Sequence, residues 1–377
     1  EAVERGLQFM RNRAGAAATD ADGKRRFAAF PRFRGEASVD DLFDDAEKSD
    51  PPSFLIWAVT GAGKTEMIFP LIDDALARGG RVLVATPRRD VVLELEPRLK
   101  RAFPGRTVVA LYGGSPQRWE RGDITLATTH QLLRFRRHFD LTVIDELDAF
   151  PYHNNPMLQF AARRVCKSDG VYVLLSATPP PALQQAARRN RLPHAKVPVR
   201  FHRHPLPVPT RLRMKPLASD RPELPGRIIQ AMASSVERGA QIFVFVPRIG
   251  DVEPVVRLLR ASFGRLRIEG TSSQDPARAD KVREFRDGTI RMLVTTTILE
   301  RGVTVPKTDV FVLSADSPLF DEAALVQMAG RAGRSKDDPR GNVYFCSAEK
   351  TRAQTGAIRH IRAMNRLAKR KGYLIET

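Results

Sequence analysis

The chain has 377 residues, of which 42% are hydrophobic, and its 62 Lys and Arg against 43 Asp and Glu give a formal charge of +19. That length holds about two domains, and the apolar share excludes wholesale disorder. Two cysteines, Cys166 and Cys346, exclude a disulfide framework and a cysteine-held zinc site, and no apolar run approaches the roughly 18–20 residues of a membrane span. Nor does the sequence open with a basic start, an apolar middle and a small-residue cleavage site, so a soluble intracellular protein is expected. A balance this basic favours a polyanionic partner, nucleic acid first. The bland alternative is the Arg- and Ala-rich composition of a GC-rich genome.

Residues 1–52 read as an N-terminal extension or linker. Lys24 to Arg34 mixes basic residues with Phe27, Phe30 and Phe33, and an acidic run from Asp40 to Asp50 ends in Pro51-Pro52. From residue 53 the pattern changes. Phe54 to Val59 is a short apolar run followed by a Gly-rich turn. Met67, Ile68, Leu71, Ile72, Ala75 and Leu76 then recur at helical spacing until Gly79-Gly80. Further strand-like runs are Val82 to Ala85, Thr107 to Leu111, Ile124 to Ala127, Leu141 to Ile144 and Val171 to Leu175. Val197 to Pro225 is Pro-rich and basic and reads as a connector. Alternation resumes at Ile242 to Val246, Met292 to Thr295, Val310 to Leu313 and Val343 to Cys346. The tail from Ala357 to Lys371 places Ile358, Ile361, Met364, Leu367 and Ala368 on one helical face, with Arg359, Arg362, Arg366 and Lys369 elsewhere. Strands alternating with helices predict parallel sheets covered on both faces. The expected division is an extension over 1–52, an ATP-binding domain over 53–204, a Pro-rich linker over 205–225, and a second domain with a basic C-terminal helix over 226–377.

Thr60-Gly61-Ala62-Gly63-Lys64-Thr65-Glu66 lies between a buried strand and a helix. Backbone N–H groups of such a turn, backed by a helix N-terminus, cradle an anion. Lys64 is placed to reach the β- and γ-phosphates, and the Thr65 hydroxyl to bind Mg²⁺. Ala58 stands where the pattern has its first glycine. Leu141 to Ile144 runs into Asp145-Glu146-Leu147-Asp148, acidic residues at the carboxyl end of a strand, where ligands bind. Asp145 is expected to hold Mg²⁺ and Glu146 to activate the attacking water. Ser176-Ala177-Thr178 follows another strand, and its hydroxyls are placed to bond Asp148 and relay the nucleotide state. Gln327 to Arg334 carries Arg331 and Arg334, spaced by three on one helical or turn face. Arginine stabilises charge on a transferring phosphoryl group. The second domain has no phosphate loop of its own, so these arginines make sense if it closes on a nucleotide held by the first.

In this order the segments resemble a superfamily 2 helicase or translocase from about residue 53 to 370. They resemble the ComFA late-competence ATPases more closely still. The residues that carry this are Trp57 to Glu66, Ile144 to Tyr152, Thr295 to Thr304, Leu325 to Arg334 and Ile358 to Asn365. Primosome restart helicases share the Val59-Thr60-Gly61 wording. The resemblance implies two RecA-like P-loop domains in tandem, with ATP and Mg²⁺ as cofactors. It implies that Arg88, Arg89, Gly113, Gly114, Thr128, Thr129 and His130 line a strand path in the first domain. Pro247, Arg248, Thr295 and Thr296 do so in the second. It further implies an enzyme that helps pull transforming single-stranded DNA inward at the cytoplasmic face of the membrane, with the ComEC channel and ComFC as partners. Three departures stand out. A four-cysteine zinc module is absent, no glutamine upstream of the phosphate loop is convincing as an adenine reader, and the segment near Glu269 to Ser273 lacks a histidine. A duplex-unwinding helicase of replication restart or repair is the alternative within the class. A DNA-tethering scaffold with a decayed ATPase is the alternative outside it, opposed by the complete set Lys64, Asp145, Glu146, Arg331 and Arg334. A metabolite kinase leaves the arginine pair unexplained.

Overall fold

Among the described residues strands alternate with helices, and most of the strands are buried along nearly their whole length. The computed structural model describes residues 1–16, 51–217, 223–301 and 305–375. The basic and aromatic cluster at 24–34, the acidic run at 40–50, and Gly302-Val303-Thr304 lie outside them. Contacts divide the chain into two units, 1–58 with 63–197, and 59–62 with 198–377.

The first unit contains α1 (Ala2–Ala16), β1 (Ser53–Ala58), α2 (Lys64–Ala77), β2 (Val82–Thr86), α3 (Arg89–Ala102), β3 (Val108–Leu111), β4 (Ile124–Thr128), β5 (Phe139–Ile144), α4 (Pro156–Val165), β6 (Cys166–Ser176), α5 (Pro181–Arg188) and β7 (His194–Val197). Among the described residues the strands form one sheet in the order β3-β4-β2-β5-β6-β1-β7, every neighbouring pair parallel. Strands such as β1 and β2 are buried at every position, as a sheet covered on both faces requires. Helix α2 buries Ile68, Leu71, Ile72, Ala75 and Leu76, the face its spacing predicts. It stops in a Schellman arrangement: Gly79 N–H donates to Leu76 O (3.0 Å) and Gly80 N–H to Ala75 O (3.0 Å), with Gly79 at φ 74°. The extension departs from the linker expected over 1–52, because its first part is helical. Met10 of α1 is buried, Phe9 stacks obliquely on Phe54 with centroids 5.5 Å apart, and Arg11 pairs with Asp74 of α2 at 3.2 Å. Val3, Leu7 and Met10 stand at helical spacing on the face that α1 turns inward, a signal the linker reading leaves out.

The second unit contains β8 (Thr210–Arg213), α6 (Gly226–Glu237), β9 (Gln241–Phe245), α7 (Val252–Ser262), β10 (Ile268–Thr271), α8 (Arg278–Arg286), β11 (Met292–Thr295), β12 (Thr308–Leu313), α9 (Glu322–Ala329), β13 (Val343–Ser347) and α10 (Arg352–Arg370). Its described strands make a second all-parallel sheet, β10-β11-β9-β12-β13-β8. Ile242, Val244, Met292, Val294 and Phe311 from the strands pack with Val255, Val256 and Leu259 of α7 in its core. Helix α10 buries Gln354, Ala357, Ile361, Met364 and Ala368. Ile358 and Leu367, expected on that face, are half-buried at its margins.

The Pro-rich stretch is not a free connector. It supplies the edge strand β8, paired with β13, and Leu206 exchanges two hydrogen bonds of 2.8 Å with the Asn365 side chain on α10. The boundary by contacts falls at Val197/Pro198 rather than at 204/205.

Candidate ATP site and nucleic-acid edge

In an all-parallel sheet every strand's carboxyl end lies on one edge. The order β5-β6-β1 therefore puts three segments on adjacent strand ends: Asp145-Glu146 after β5, Ser176-Ala177-Thr178 at the end of β6, and the loop 59–63 after β1.

The phosphate loop is shaped by its glycines. Gly61 (φ 78°) and Gly63 (φ 80°) are both left-handed, a conformation an L side chain resists. Gly63 is the N-cap of α2 and makes no side-chain cap, so no capping side chain competes for the first-turn N–H groups. Lys64 leans back along the loop, its Nζ 3.5 Å from Ala58 O, the position where the pattern has a glycine. Thr60 and Ala62 are buried, while Gly61, Gly63, Lys64 and Thr65 are half-buried. Glu66 is exposed and pairs with Arg98 of α3.

Asp145 is buried, and its Oδ1 accepts the N–H of Glu146 at 2.8 Å. Glu146 adopts φ 56°, left-handed for a non-glycine residue, a conformation that costs on the order of 1–3 kcal/mol and clusters at functional sites. Asp148 is buried and accepts from Ser176 Oγ (2.7 Å) and Thr178 Oγ1 (2.6 Å), while Thr178 N–H donates to Ser176 Oγ (2.9 Å). Trp57 of β1 donates its indole N–H to Ala177 O at 3.1 Å, which fixes that turn to the neighbouring strand. The donor set fits a nucleotide with a hard cation: a left-handed glycine cradle, one ammonium, one hydroxyl and two carboxylates.

The other half of the same edge carries the expected strand-contact residues. Arg88 and Arg89 follow β2, Gly113 and Gly114 follow β3, and Thr128, Thr129 and His130 end or follow β4, three neighbouring strands. Arg89, Gly113, Gly114 and His130 are exposed and Arg88 is half-buried. The Arg89 guanidinium lies 4.8 Å from the Tyr112 ring centroid. Thr128 is mostly buried and Thr129 entirely so. In the second unit Arg248 follows β9 and is exposed, whereas Thr296 is buried and Thr295 has no exposed surface. As placed, the Thr129 and Thr295 hydroxyls cannot make the strand contacts expected of them, because both sit within the burial that continues from their strands.

Helix α9 ends at Ala329, so Arg331 and Arg334 lie in the turn beyond it rather than on a helix. Gln327 is buried on α9. Arg331 is buried, its Nε donating to Glu300 O at 2.9 Å, and Arg334 Nε donates to Gly330 O at 2.8 Å. Two residues of the supposed connector, unmarked by any motif, hold this turn. Arg200 is fully buried and donates to Ala332 O (2.7 Å), Gly330 O (3.2 Å) and Gly333 O. Burial, then the nearby Arg334 charge, pulls its pKa down to about 9, so it stays cationic at neutral pH. His202 joins it at Gly333 O, 3.2 Å from Nε2. Its Nδ1 accepts from His204 N–H at 3.2 Å, so in the neutral ring Nε2 carries the proton and donates.

Burial, then the Arg200 charge, lowers the His202 pKa from its ordinary 6.5. The unfolded chain therefore takes up this proton first as pH falls. His202 contributes stability above about pH 6.5 that is lost on acidification through its lower folded pKa. Thermal melting between pH 7.5 and 5 should show a smaller acid-dependent fall in Tm for His202→Gln than for the unaltered chain. An unchanged pH dependence rejects His202 as a neutral prop of the turn.

Two all-parallel sheets, each with strand-end motifs, define a RecA-like helicase core. Residues 43–186 match the DEAD/DEAH box helicase family and residues 224–336 the helicase conserved C-terminal domain. The fold is similar to yeast (S. cerevisiae) Dbp5 bound to RNA and ADP BeF3, with TM-score 0.59 and 16% identity, covering 85% of this chain and 90% of that one. It is also similar to RecG bound to a three-way DNA junction, with TM-score 0.57 and 18% identity, covering 86% and 44%. The chain is 44% identical to competence protein ComFA of Bacillus subtilis over 85% of its own length and 69% of the relative's. It is 37% identical to ComFA of Streptococcus pneumoniae over 87% and 75%. The chain belongs to the ComFA family of competence proteins, and its helicase domains make it an ATP hydrolase. Among the described residues no helix is long and apolar enough to cross a membrane.

Proposed function

We propose that this chain is an ATP-driven single-stranded DNA translocase that draws transforming DNA inward at the cytoplasmic face of the membrane, in company with the ComEC channel and ComFC. One observation carries the reading. A single sheet edge bears the phosphate loop and the Asp145-Glu146 pair on one half and exposed basic and glycine residues on the other. Turnover and polymer grip thus share one rigid frame. The competence role is supported by the two ComFA relatives.

In this reading Lys64 and the loop N–H groups bind the β- and γ-phosphates. Thr65 and Asp145 hold Mg²⁺, which neutralises phosphate charge when bound. Glu146 orients and deprotonates the attacking water, and Arg331 and Arg334, with Gln327 beside them, stabilise the transferring phosphoryl group. Asp148, clamped by Ser176 and Thr178, relays the nucleotide state along β6. Arg88, Arg89, His130 and Arg248 contact the sugar–phosphate backbone, so sequence preference should be slight.

The test is ATP turnover with single-stranded DNA, duplex DNA and RNA of equal length, beside a strand-displacement assay. Stimulation by single-stranded DNA without displacement is expected. Displacement of the duplex strand favours an unwinding helicase of restart or repair instead. Turnover indifferent to every nucleic acid overturns the motor reading.

A further inference from the structure

The loop joining β3 to β4 follows Gly113-Gly114 and presents Trp119 to solvent, 78% exposed. An indole so placed forgoes its usual burial, which marks a contact surface rather than a packing role. Two cations lie over it: the Arg118 guanidinium carbon is 5.1 Å and that of Arg134 5.3 Å from the ring centroid. Arg134 ends the turn that Thr129 and His130 begin, and it also donates to Arg118 O. The loop is braced. Gln117 Oε1 accepts from Ala110 N–H of β3 at 3.0 Å, Ser115 Oγ donates to Ala110 O at 2.6 Å, and Gln117 Nε2 donates to Glu120 at 3.1 Å. Arg121 and Arg136 are exposed nearby in the chain, so Glu120 is outnumbered.

A guanidinium lying over an exposed indole exchanges readily with an unpaired base: the base takes the ring face, and the freed cations meet its neighbours' phosphates. We propose that Trp119 is a stacking platform for one nucleobase of a bound single strand, with Arg118 and Arg134 at the flanking phosphates. This rests on the reading of the chain as a single-strand translocase. It adds a base contact to a path otherwise made of backbone contacts.

The chain has two tryptophans, and Trp57 is only 3% exposed, so acrylamide-quenchable emission reports Trp119. The full chain is titrated with an oligothymidylate strand and with an abasic strand of equal length. The thymidylate strand should quench that emission and shield it from acrylamide, and the abasic strand should bind without doing either. Trp119→Ala should weaken thymidylate binding roughly tenfold without changing the slope of log K against log salt, whereas Arg118→Ala should reduce that slope by about 1. Trp119→Phe should recover most of the loss, which a merely structural role of the indole would not produce. Tight thymidylate binding with unchanged emission, and equal affinity in Trp119→Ala, overturns the platform while leaving the translocase reading in place. Failure of both strands to bind removes both readings.

Discussion

Lys64→Ala is expected to lower ATP hydrolysis by roughly two to three orders of magnitude or more while leaving single-stranded DNA binding nearly intact. Lys64 opens α2 at the end of the glycine cradle, with its ammonium drawn back toward Ala58 O. Its removal takes away the one ammonium of the cradle and leaves the neighbouring backbone geometry alone, because Gly61 and Gly63 set that geometry. Methyl for ammonium at a half-buried position also costs little stability. The exposed basic residues of the strand path belong to β2, β3 and β4, on the other half of the sheet edge. Phosphate release and filter binding, measured on the same preparation, check both halves of the expectation. Unchanged turnover removes the loop as the ATP site, and a matching collapse of DNA binding shows that the two halves of the edge are not separable.

Glu146→Gln should bind ATP as tightly as the unaltered chain but hydrolyse it about 10²–10⁴-fold more slowly, the range that positioned general-base groups contribute. Gln keeps the volume and the left-handed backbone, which Asp145 supports by accepting the residue-146 N–H, so the cost falls on proton transfer rather than on folding. Asp145→Asn should differ. It replaces a carboxylate expected to hold Mg²⁺, so its defect should lessen when Mg²⁺ is raised, and the Glu146→Gln defect should not. Single-turnover rates beside equilibrium ATP binding distinguish the two. A Glu146→Gln enzyme at full rate rejects the carboxylate as base.

Much of this site was legible in the sequence because its signals are local. Gly61, Gly63 and Lys64 stand within four residues, and Asp145-Glu146 follows directly on an apolar run. Buried parallel strands betray themselves as continuous apolar runs, which is why β1, β2, β5 and β9 fall close to their expected places. The short edge strands β7 and β8 carry too little apolar character to be seen. Thr129 and Thr295 show the opposite failure. A threonine at a strand's end is read as a ligand contact or as a buried continuation, and only the packing decides. Arg200 had no local signal at all, since its acceptors lie some 130 residues along the chain. Among many arginines nothing in the sequence marks one that is fully enclosed. Trp119 was equally silent, because exposure depends on what the loop leaves uncovered.

The clasp between the Pro-rich stretch and the turn after α9 decides what piece of this molecule can stand alone. A fragment cut at residue 224, where the helicase C-terminal match begins, forfeits Arg200, His202 and β8 together. The carbonyls of Ala332 and Gly333 then lose these donors, Gly330 O is left with Arg334 Nε, and β13 becomes an open rim ready to recruit a stray strand. Arg203 adds to the loss: it donates to Tyr373 O at 2.9 Å and accepts from Ile375 N–H at 3.0 Å, so the half's opening and closing turns are laced together. By contacts this unit takes in 198–377 together with 59–62, so its main segment begins well ahead of the first residue that sequence similarity would choose.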